Sequence, residues 1–87
     1  MAYRIEFRPA ALRDLKRVPK LVRIRLMTAI AALANTPRPP GSVKLQGPEG
    51  FHRIRVGDYR VVYLIRDRIL LVCVVRMAHR RDVYRDL

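Results

Sequence analysis

The dipeptide Gly57-Asp58 constrains the fold of this chain more than any other feature of its sequence. Runs in which apolar and polar residues alternate precede and follow it, at Phe51–Val56 and Tyr59–Arg66. Alternation with a period of two is typical of a half-buried strand, and a two-residue connection of this kind is typical of a tight β-hairpin. The sequence therefore predicts two antiparallel strands joined at this turn.

The register of this hairpin determines which side chains share a face of the sheet. With a two-residue turn, Arg55 lies opposite Arg60, and the alternation of a strand adds Arg53 to the same side. Like charges placed directly opposite one another destabilise a strand pair. We therefore interpret these arginines as a phosphate-binding surface, and a solvated sheet face is the alternative interpretation. The other side is predicted to face the core through His52, Ile54, Val56, Tyr59, Val61 and Tyr63.

The first half of the chain predicts a strand followed by two helices. Tyr3–Phe7 alternates like a half-buried strand, and Pro9 suits the first position of a helix. Apolar residues then recur at helical spacing, with an interruption at Pro19, until Asn35–Pro37 ends the second helix. The two apolar stripes are Ala11, Leu12, Leu15 and Val18, and Val22, Leu26, Ala29, Ile30 and Leu33.

The rest of the chain predicts a loop and one more strand. Residues 36–50 are rich in Pro and Gly and predict a loop, with a short extended piece at Val43–Leu45. Ile69–Met77 predicts a strand beyond the hairpin, and the polar tail predicts at most one helical turn. The order is β-α-α-β-β-β, which predicts one α+β domain over residues 1–87, with a helical hairpin packed on a mostly antiparallel four-stranded sheet.

The length of the connection before the last strand determines which residues of that strand lie on the same side of the sheet as the arginines. If Asp67-Arg68 is also a two-residue turn, Val75 lies opposite Arg60. Met77 and His79 are then expected on the arginine side of the sheet.

Composition narrows the class of partner. The chain has 19 Lys+Arg against 7 Asp+Glu among 87 residues, a net charge of +12, and 51% of its residues are hydrophobic. That hydrophobic share excludes a disordered basic tail, and the charge favours a polyanion such as RNA, DNA or an acidic protein. Cys73 is the single cysteine, no segment is long enough to span a membrane, and the N-terminus lacks a signal-peptide pattern. We expect a cytoplasmic protein with no membrane association.

Three stretches together carry a resemblance to a known family. They are Lys44–Gly47, Phe51–Tyr63 with its pattern Arg-x-Arg-x-Gly-Asp-Tyr-Arg-x-x-Tyr, and His79–Tyr84 with His-Arg-x-Asp-x-Tyr. They closely resemble the RelE family of bacterial toxins, within the RelE/ParE superfamily, and the likeness extends over nearly the whole chain. It implies an endonuclease that cuts messenger RNA in the ribosomal decoding site by attack of a ribose 2′-hydroxyl, without metal or cofactor. It also implies a cognate antitoxin that binds and blocks the toxin in a heteromeric complex.

The resemblance assigns roles position by position. Arg53 and Arg55 match two basic positions, which are usually lysine in the best-known members, and are expected to position the RNA backbone and to stabilise the transition state. Arg60 matches the arginine of a Tyr-Arg pair and Arg80 matches a basic residue near the C-terminus, and both are expected to bind the scissile phosphate and its developing charge. Tyr84 matches a tyrosine expected to stack on a base or to join proton transfer.

Arginine at position 53 raises the question of the general base. Lysine could lose a proton, whereas Arg53 practically cannot. His79 or Tyr84 is then the candidate base, or catalysis proceeds by positioning and electrostatics alone. A capping or packing histidine is the alternative interpretation of His79.

Further basic residues are expected to contact ribosomal RNA, and a solvated face is the alternative for them. They are Lys44, Arg81 and the helical residues Arg13, Lys16, Arg17 and Lys20, with Arg23 and Arg25 on the same hairpin.

Two other functions remain open at this point. One is a ParE-like inhibitor of DNA gyrase, and the other is a catalytically weak RNA-binding toxin that acts as a co-repressor with its antitoxin. In each case the antitoxin is expected to be acidic, with an amphipathic helix or a strand that adds to an open sheet edge or covers the helical hairpin.

Overall fold

A computed structural model describes residues 2–47 and 50–82, and these residues form two α-helices and five strands. The elements are β1 (Arg4–Phe7), α1 (Pro9–Lys16), α2 (Lys20–Ala32), β2 (Val43–Lys44), β3 (Phe51–Val56), β4 (Tyr59–Arg66) and β5 (Leu71–His79). Short 3-10 turns cover Asp67–Ile69 and Arg80–Asp82. The predicted α+β class is confirmed.

The sheet has the strand order β1-β5-β4-β3-β2. β1 pairs with β5 in parallel, and every other pair is antiparallel. The prediction of four strands was one short, because the extended piece in the Pro- and Gly-rich loop pairs with β3 as β2. A strand of two residues has no alternation that a sequence could display.

The helices cover one face of the sheet, with α1 against β5 and α2 against β3. Pro9 occupies the first turn of α1, as predicted. Leu12 departs from the prediction, because 45% of its surface is exposed although it belongs to the apolar stripe. Arg23 closes the junction between the helices, since its guanidinium donates to the carbonyl oxygens of Leu15 and Val18 at 3.2 and 3.3 Å. No helix in the described ranges is both long and apolar enough to cross a bilayer.

The core lies between α2 and the middle of the sheet. Leu26 and Ile30 of α2, and Leu33 directly after it, are at most 1% exposed and pack in one cluster with β4 and β5 residues. The hairpin residues expected to face the core do so: Ile54, Val61 and Tyr63 are buried in this cluster, and Val56 and Tyr59 pack against it. Burial of apolar side chains on this face fixes the hairpin register, because a slip of one residue would expose them all.

The register of β4 and β5 differs from the prediction. Arg66 pairs with Leu71, so the connection contains four residues, and Leu70 adopts a left-handed conformation at its end. A β-bulge between Val62 and Tyr63 adds a further shift, and Arg60 consequently pairs with Ala78 rather than with Val75. This is a shift of three residues (78 − 75). An odd shift exchanges the two faces, so the expectation that Met77 and His79 lie on the arginine side was wrong.

The proline-rich loop is fastened to the sheet by a polar cluster. Arg38 donates to both carboxylate oxygens of Asp67, at 3.2 and 2.9 Å, and the Tyr3 hydroxyl donates to Oδ1 at 2.6 Å. The hydrogen bonds from Arg38, which have the largest effect, and from Tyr3 hold the pKa of Asp67 below its ordinary value. The Tyr63 hydroxyl donates to the Pro37 carbonyl at 2.7 Å, and burial raises the pKa of Tyr63 to about 12.

Candidate nucleic-acid interface

Arg53, Arg55 and Arg60 project from one side of the β3–β4 hairpin, and we call this side of the sheet the arginine face. Arg55 pairs directly with Arg60, and Arg53 pairs with Val62, as the two-residue turn predicts. Residues two apart on a strand, and residues directly opposite, share a face. The predicted arrangement of these arginines is therefore confirmed.

The side chains of the arginine face are accessible to solvent, and the strands that carry them are paired. Arg55 is exposed, whereas Arg53 and Arg60 are partly buried, so their stems are held while the strands beneath them are paired. Asp14 binds Arg76, which pairs with Val62, the residue paired with Arg53. The arginine face has the chemistry of an anion-binding surface, because planar guanidinium groups can contact phosphate oxygens in pairs.

The end of β5 brings two more arginines to the hairpin turn. The backbone N–H of Arg80 donates to the carbonyl oxygen of Asp58 at 2.7 Å. Arg80 and Arg81 are exposed in the 3-10 turn that follows β5. Because Asp58 belongs to the two-residue turn that ends at Tyr59, this hydrogen bond places Arg80 near the end of the sheet where Arg55 and Arg60 pair.

His79 does not lie on the arginine face. It pairs with Tyr59, and the two rings meet edge to face, with centroids 5.3 Å apart at 86°. Its Nδ1 accepts a hydrogen bond from the backbone N–H of Arg81 at 3.3 Å. Both contacts fit a packing and capping histidine, which was the alternative interpretation. Tyr84, the other candidate base, lies outside the described residues.

The other basic residues expected to contact RNA lie on elements outside the arginine face. Arg13, Lys16, Arg17 and Lys20 are exposed on α1 and at the start of α2. Lys44 is exposed on β2, where it pairs with His52, and this pairing places Lys44 on the side of the sheet opposite to Arg53. The structure therefore does not bring these residues together with the arginine face.

His52 has the environment of a structural residue. Strand alternation predicted that it would face the core. It is 7% exposed, its ring stacks on Tyr63 with centroids 5.9 Å apart, and its Nδ1 lies 3.0 Å from the Gly50 carbonyl oxygen. In the described part of the chain, no three His, Cys, Asp or Glu side chains lie together in a group that could hold a metal ion.

Arg76 and Asp14 are the residues that sequence reasoning missed. Asp14 on α1 is 9% exposed and accepts hydrogen bonds from Arg76 Nε at 2.8 Å, from Arg76 Nη2 at 3.3 Å and from the Met77 backbone N–H at 2.9 Å. Arg76 pairs with Val62, which lies two residues from Arg60 along β4. A single basic residue within the apolar run of β5 was the available signal that a buried carboxylate would be found beside it.

Comparisons with known proteins agree with this geometry. A family model described as the ParE toxin of the type II toxin–antitoxin system parDE matches residues 5–84. Toxin RelE of Mycobacterium tuberculosis is 34% identical over 84 residues, covering 95% of this chain and 87% of that protein. Toxin RelG of the same organism is 31% identical and covers 98% of this chain and 99% of its own.

A solved structure shows the same fold. The archaeal RelE–RelB complex from Pyrococcus horikoshii contains a chain that superimposes with a TM-score of 0.83 at 25% identity, over 95% of this chain and 100% of that one. The agreement of sequence, register and architecture identifies the chain as a member of the ParE/RelE family of toxins of type II toxin–antitoxin systems.

Proposed function

We propose that this toxin inhibits translation by cutting messenger RNA in the decoding site of the ribosome, with the arginine face as its catalytic surface. The observation that carries the proposal is the pairing of Arg55 with Arg60 and the placement of Arg53 on the same face. Two like charges opposed on a strand pair destabilise the fold, and a bound phosphate backbone relieves that repulsion. The kinship with proteins named RelE supports the same activity.

The proposed reaction is a transfer within the RNA chain. The 2′-hydroxyl oxygen attacks the adjacent phosphorus, the bond from phosphorus to the 5′ oxygen breaks, and a 2′,3′-cyclic phosphate and a 5′-hydroxyl result. The 2′-hydroxyl loses its proton, and the departing 5′ oxygen gains one. Negative charge grows on the phosphate oxygens in the transition state, and fixed guanidinium groups stabilise that charge. In this scheme Arg60 and Arg80 bind the scissile phosphate, while Arg53 and Arg55 hold the backbone in line.

The surface is proposed to act by positioning and electrostatics. Arginine stays protonated in proteins, so Arg53, Arg55 and Arg60 cannot remove the proton of the 2′-hydroxyl. His79 lies on the other face of the sheet against Tyr59, and this placement removes the geometric basis for its role as the base. Tyr84 stays a candidate from the resemblance alone.

We also propose that an acidic antitoxin neutralises this toxin in a heteromeric complex and that the toxin acts in the cytoplasm. A net charge of +12 favours an acidic partner. The solved relative from Pyrococcus horikoshii was crystallised as a RelE–RelB complex, which supports a partner of that kind. The exposed basic residues of α1 and the start of α2 are proposed to contact ribosomal RNA, because positive charge attracts a polyanion.

A purified translation reaction tests the proposed activity. A defined messenger is incubated with the toxin, with and without ribosomes, and the cut sites are mapped by primer extension. Cuts are expected only at ribosome-occupied codons, with 5′-hydroxyl ends on the downstream fragments. Cuts on free RNA would contradict ribosome dependence, and the absence of cuts in both reactions would contradict the endonuclease itself.

A second candidate function follows from the family description, which names a ParE toxin. A ParE-like protein inhibits DNA gyrase, and the shared fold does not separate the two activities. A supercoiling assay with purified gyrase distinguishes them. The proposed endonuclease is expected to leave supercoiling unchanged at concentrations that stop translation.

A further inference from the structure

A small pocket lies at the end of the β3–β4 hairpin, on the side of the sheet that the helices cover. Its volume is about 190 Å³, and it is lined by Val22 and Arg25 of α2 and by residues 56–59 of the hairpin. It is smaller than the pockets of about 300–1,000 Å³ that hold drug-sized ligands, so it has room for one small ring system. We call it the turn pocket.

The turn pocket contains two opposite charges that do not pair with each other. The guanidinium of Arg25 lies over the turn, because a Cβ added at Gly57 would lie 3.6 Å from its Nη1 and Nη2 atoms. Asp58, the next residue, also lines the pocket. Both charged residues are exposed, and neither side chain forms a hydrogen bond or an ion pair with any residue in the described ranges. A guanidinium only donates hydrogen bonds and a carboxylate only accepts them, so a ligand that satisfies both has acceptors on one edge and donors on another.

The walls of the turn pocket are apolar. Val22, Val56 and Tyr59 line it and pack against the core. The Tyr59 ring also meets the ring of His79 edge to face, with centroids 5.3 Å apart. Apolar and aromatic walls suit the faces of a planar ring, and proteins bind unpaired RNA bases by stacking and by hydrogen bonds to the base edges.

Guanine is the base whose edges match these charges. Its O6 and N7 atoms are adjacent acceptors, to which an arginine donates a pair of hydrogen bonds. Its N1–H and 2-amino groups are adjacent donors, and one carboxylate accepts from both. Adenine presents an acceptor, N1, where guanine presents a donor, so the carboxylate of Asp58 repels it. The same carboxylate disfavours a bare phosphate, although the chain as a whole is basic.

We propose that the turn pocket binds a guanine base of RNA, with Arg25 donating to O6 and N7 and Asp58 accepting from N1–H and the 2-amino group. The assignment to RNA rests on the proposed function, and the pocket is separate from the arginine face. Arg55 and Arg60 pair at the same end of the hairpin but on the other side of the sheet. A messenger bound there brings a neighbouring base to the pocket by turning around Gly57-Asp58. Ribosomal RNA is the other source of guanine, and cleavage measurements distinguish the two.

Binding of the four nucleoside monophosphates tests the base preference. GMP, AMP, CMP and UMP carry the same phosphate, so a difference between them measures the effect of the base. Each is titrated into the isotope-labelled full chain, and amide shifts are followed by NMR. GMP is expected to bind at least about tenfold more tightly than AMP, with shifts at residues 22–25 and 56–59 that AMP does not cause. Equal affinities for GMP and AMP, or the same shifts with both, would overturn the proposal.

Two variants with matched controls locate the site. Asp58→Asn is expected to reduce the preference for GMP over AMP to below about twofold, whereas Glu6→Gln, which removes the same charge at an exposed position of β1, is expected to keep it. Arg25→Gln is expected to weaken GMP binding about tenfold, and Arg68→Gln, in the exposed turn after β4, is expected to bind like the parent chain.

Non-specific binding gives the opposite result for Asp58→Asn. Loss of a negative charge strengthens the attraction of a basic chain for any nucleotide. A GMP affinity that rises in Asp58→Asn, or a preference for GMP that stays unchanged in the folded variant, would therefore overturn the proposed site.

Single-turnover cleavage of ribosome-bound messenger RNA distinguishes the two sources of guanine. Messengers are compared that carry guanine or adenine at each nucleotide around the cut in turn. If the messenger supplies the base, the parent chain cuts one guanine messenger at least about fivefold faster than its adenine counterpart, and Asp58→Asn removes the difference. If ribosomal RNA supplies the base, Asp58→Asn lowers the rate on all messengers by the same factor. Unchanged rates on all of them would overturn the role of the pocket in RNA recognition.

Base binding and RNA cleavage are separable in these measurements. A chain that binds GMP as expected but never cuts RNA would contradict the proposed endonuclease and leave the base preference standing. A chain that cuts RNA but binds GMP and AMP alike would contradict only the assignment of the turn pocket.

Discussion

The side chain of Asp14 joins α1 to β5 by accepting hydrogen bonds from Arg76 and from the Met77 N–H. Asp14→Ala leaves both donors without this acceptor at a largely buried position. We expect the free energy of unfolding to fall by about 3 kcal/mol, which urea denaturation would measure.

Glu6→Ala is the control for this prediction. Glu6 binds Arg4 at 3.0 Å, but half or more of each side chain is exposed, at 51% and 63%. Solvent screens such a pair, and its loss is expected to cost less than about 1 kcal/mol. Equal losses of stability for Asp14→Ala and Glu6→Ala would contradict the structural role assigned to Asp14.

The interaction of Asp14 with Arg76 is a contact between individual residues that could not be predicted from the sequence. Asp14 stands in a helix between basic residues, where a carboxylate is ordinarily solvated. Its partner lies 62 residues away in a strand, and no local pattern connects the two. In contrast, Arg53, Arg55 and Arg60 could be grouped in advance, because the hairpin turn between them is local and fixes their register.

The β3–β4 hairpin depends on the backbone of Gly57. Its φ is +60°, and Asp58 is not among the residues with positive φ, as in a type II′ turn. An added Cβ would lie 3.6 Å from the guanidinium of Arg25, which is ordinary van der Waals contact. The cost of a substitution therefore comes from the left-handed backbone rather than from a clash.

Gly57→Ala is expected to lower the free energy of unfolding by about 1–2 kcal/mol, because L-residues are strained in this region. Gly57→Asn is expected to cost less, since asparagine adopts the left-handed region more readily. Thermal unfolding of the two variants measures the difference. Equal destabilisation by Ala and Asn would show that the turn geometry is not the cause.

The two hairpins of the sheet differ in how far their sequences determine them. Gly57-Asp58 allows one tight connection, and the predicted pairing of β3 and β4 is correct at each position. The β4–β5 connection is a 3-10 turn closed by Leu70 in a left-handed conformation, and Asp67 is the one residue in it that is typical of turns. The bulge at Val62/Tyr63 leaves no mark in a run of apolar residues. The position of His79 could not be predicted for these reasons.

The stability of the whole molecule is expected to decline at both extremes of pH. The lowered pKa of Asp67 means that its contribution is complete above the ordinary carboxyl pKa of about 4 and is lost as the pH falls through the folded value. The raised pKa of Tyr63 means that its contribution is complete below about pH 10 and is lost as the pH rises through about 12.

Urea midpoints measured across pH test this expectation with two variants. Tyr63→Phe removes the phenol and is expected to reduce the alkaline decline, whereas Asp67→Asn is expected to reduce the acid decline. Tyr63→Phe is expected to leave the acid decline unchanged, and Asp67→Asn is expected to leave the alkaline decline unchanged. An alkaline decline identical in the parent chain and in Tyr63→Phe would contradict the assignment to Tyr63.

The charge of the molecule predicts a steep salt dependence of RNA binding. With +12 in 87 residues, contacts to phosphates release counterions from a single-stranded RNA. Each phosphate contact contributes about 0.7 to the slope of log affinity against log salt. Arg55→Ala is expected to reduce that slope by about this amount, as measured by fluorescence anisotropy. An unchanged slope would mean that Arg55 does not contact phosphate.

The rate of single-turnover cleavage of ribosome-bound messenger RNA tests most directly whether the arginine face is the catalytic surface. Arg60→Ala is compared with Arg68→Ala, which removes the same charge from the exposed turn at the other end of β4. We predict a loss of about 10²-fold or more for Arg60→Ala, because a transition-state contact is removed, and a change below about twofold for Arg68→Ala. Equal rates for the two folded variants would show that the arginine face is not the catalytic surface.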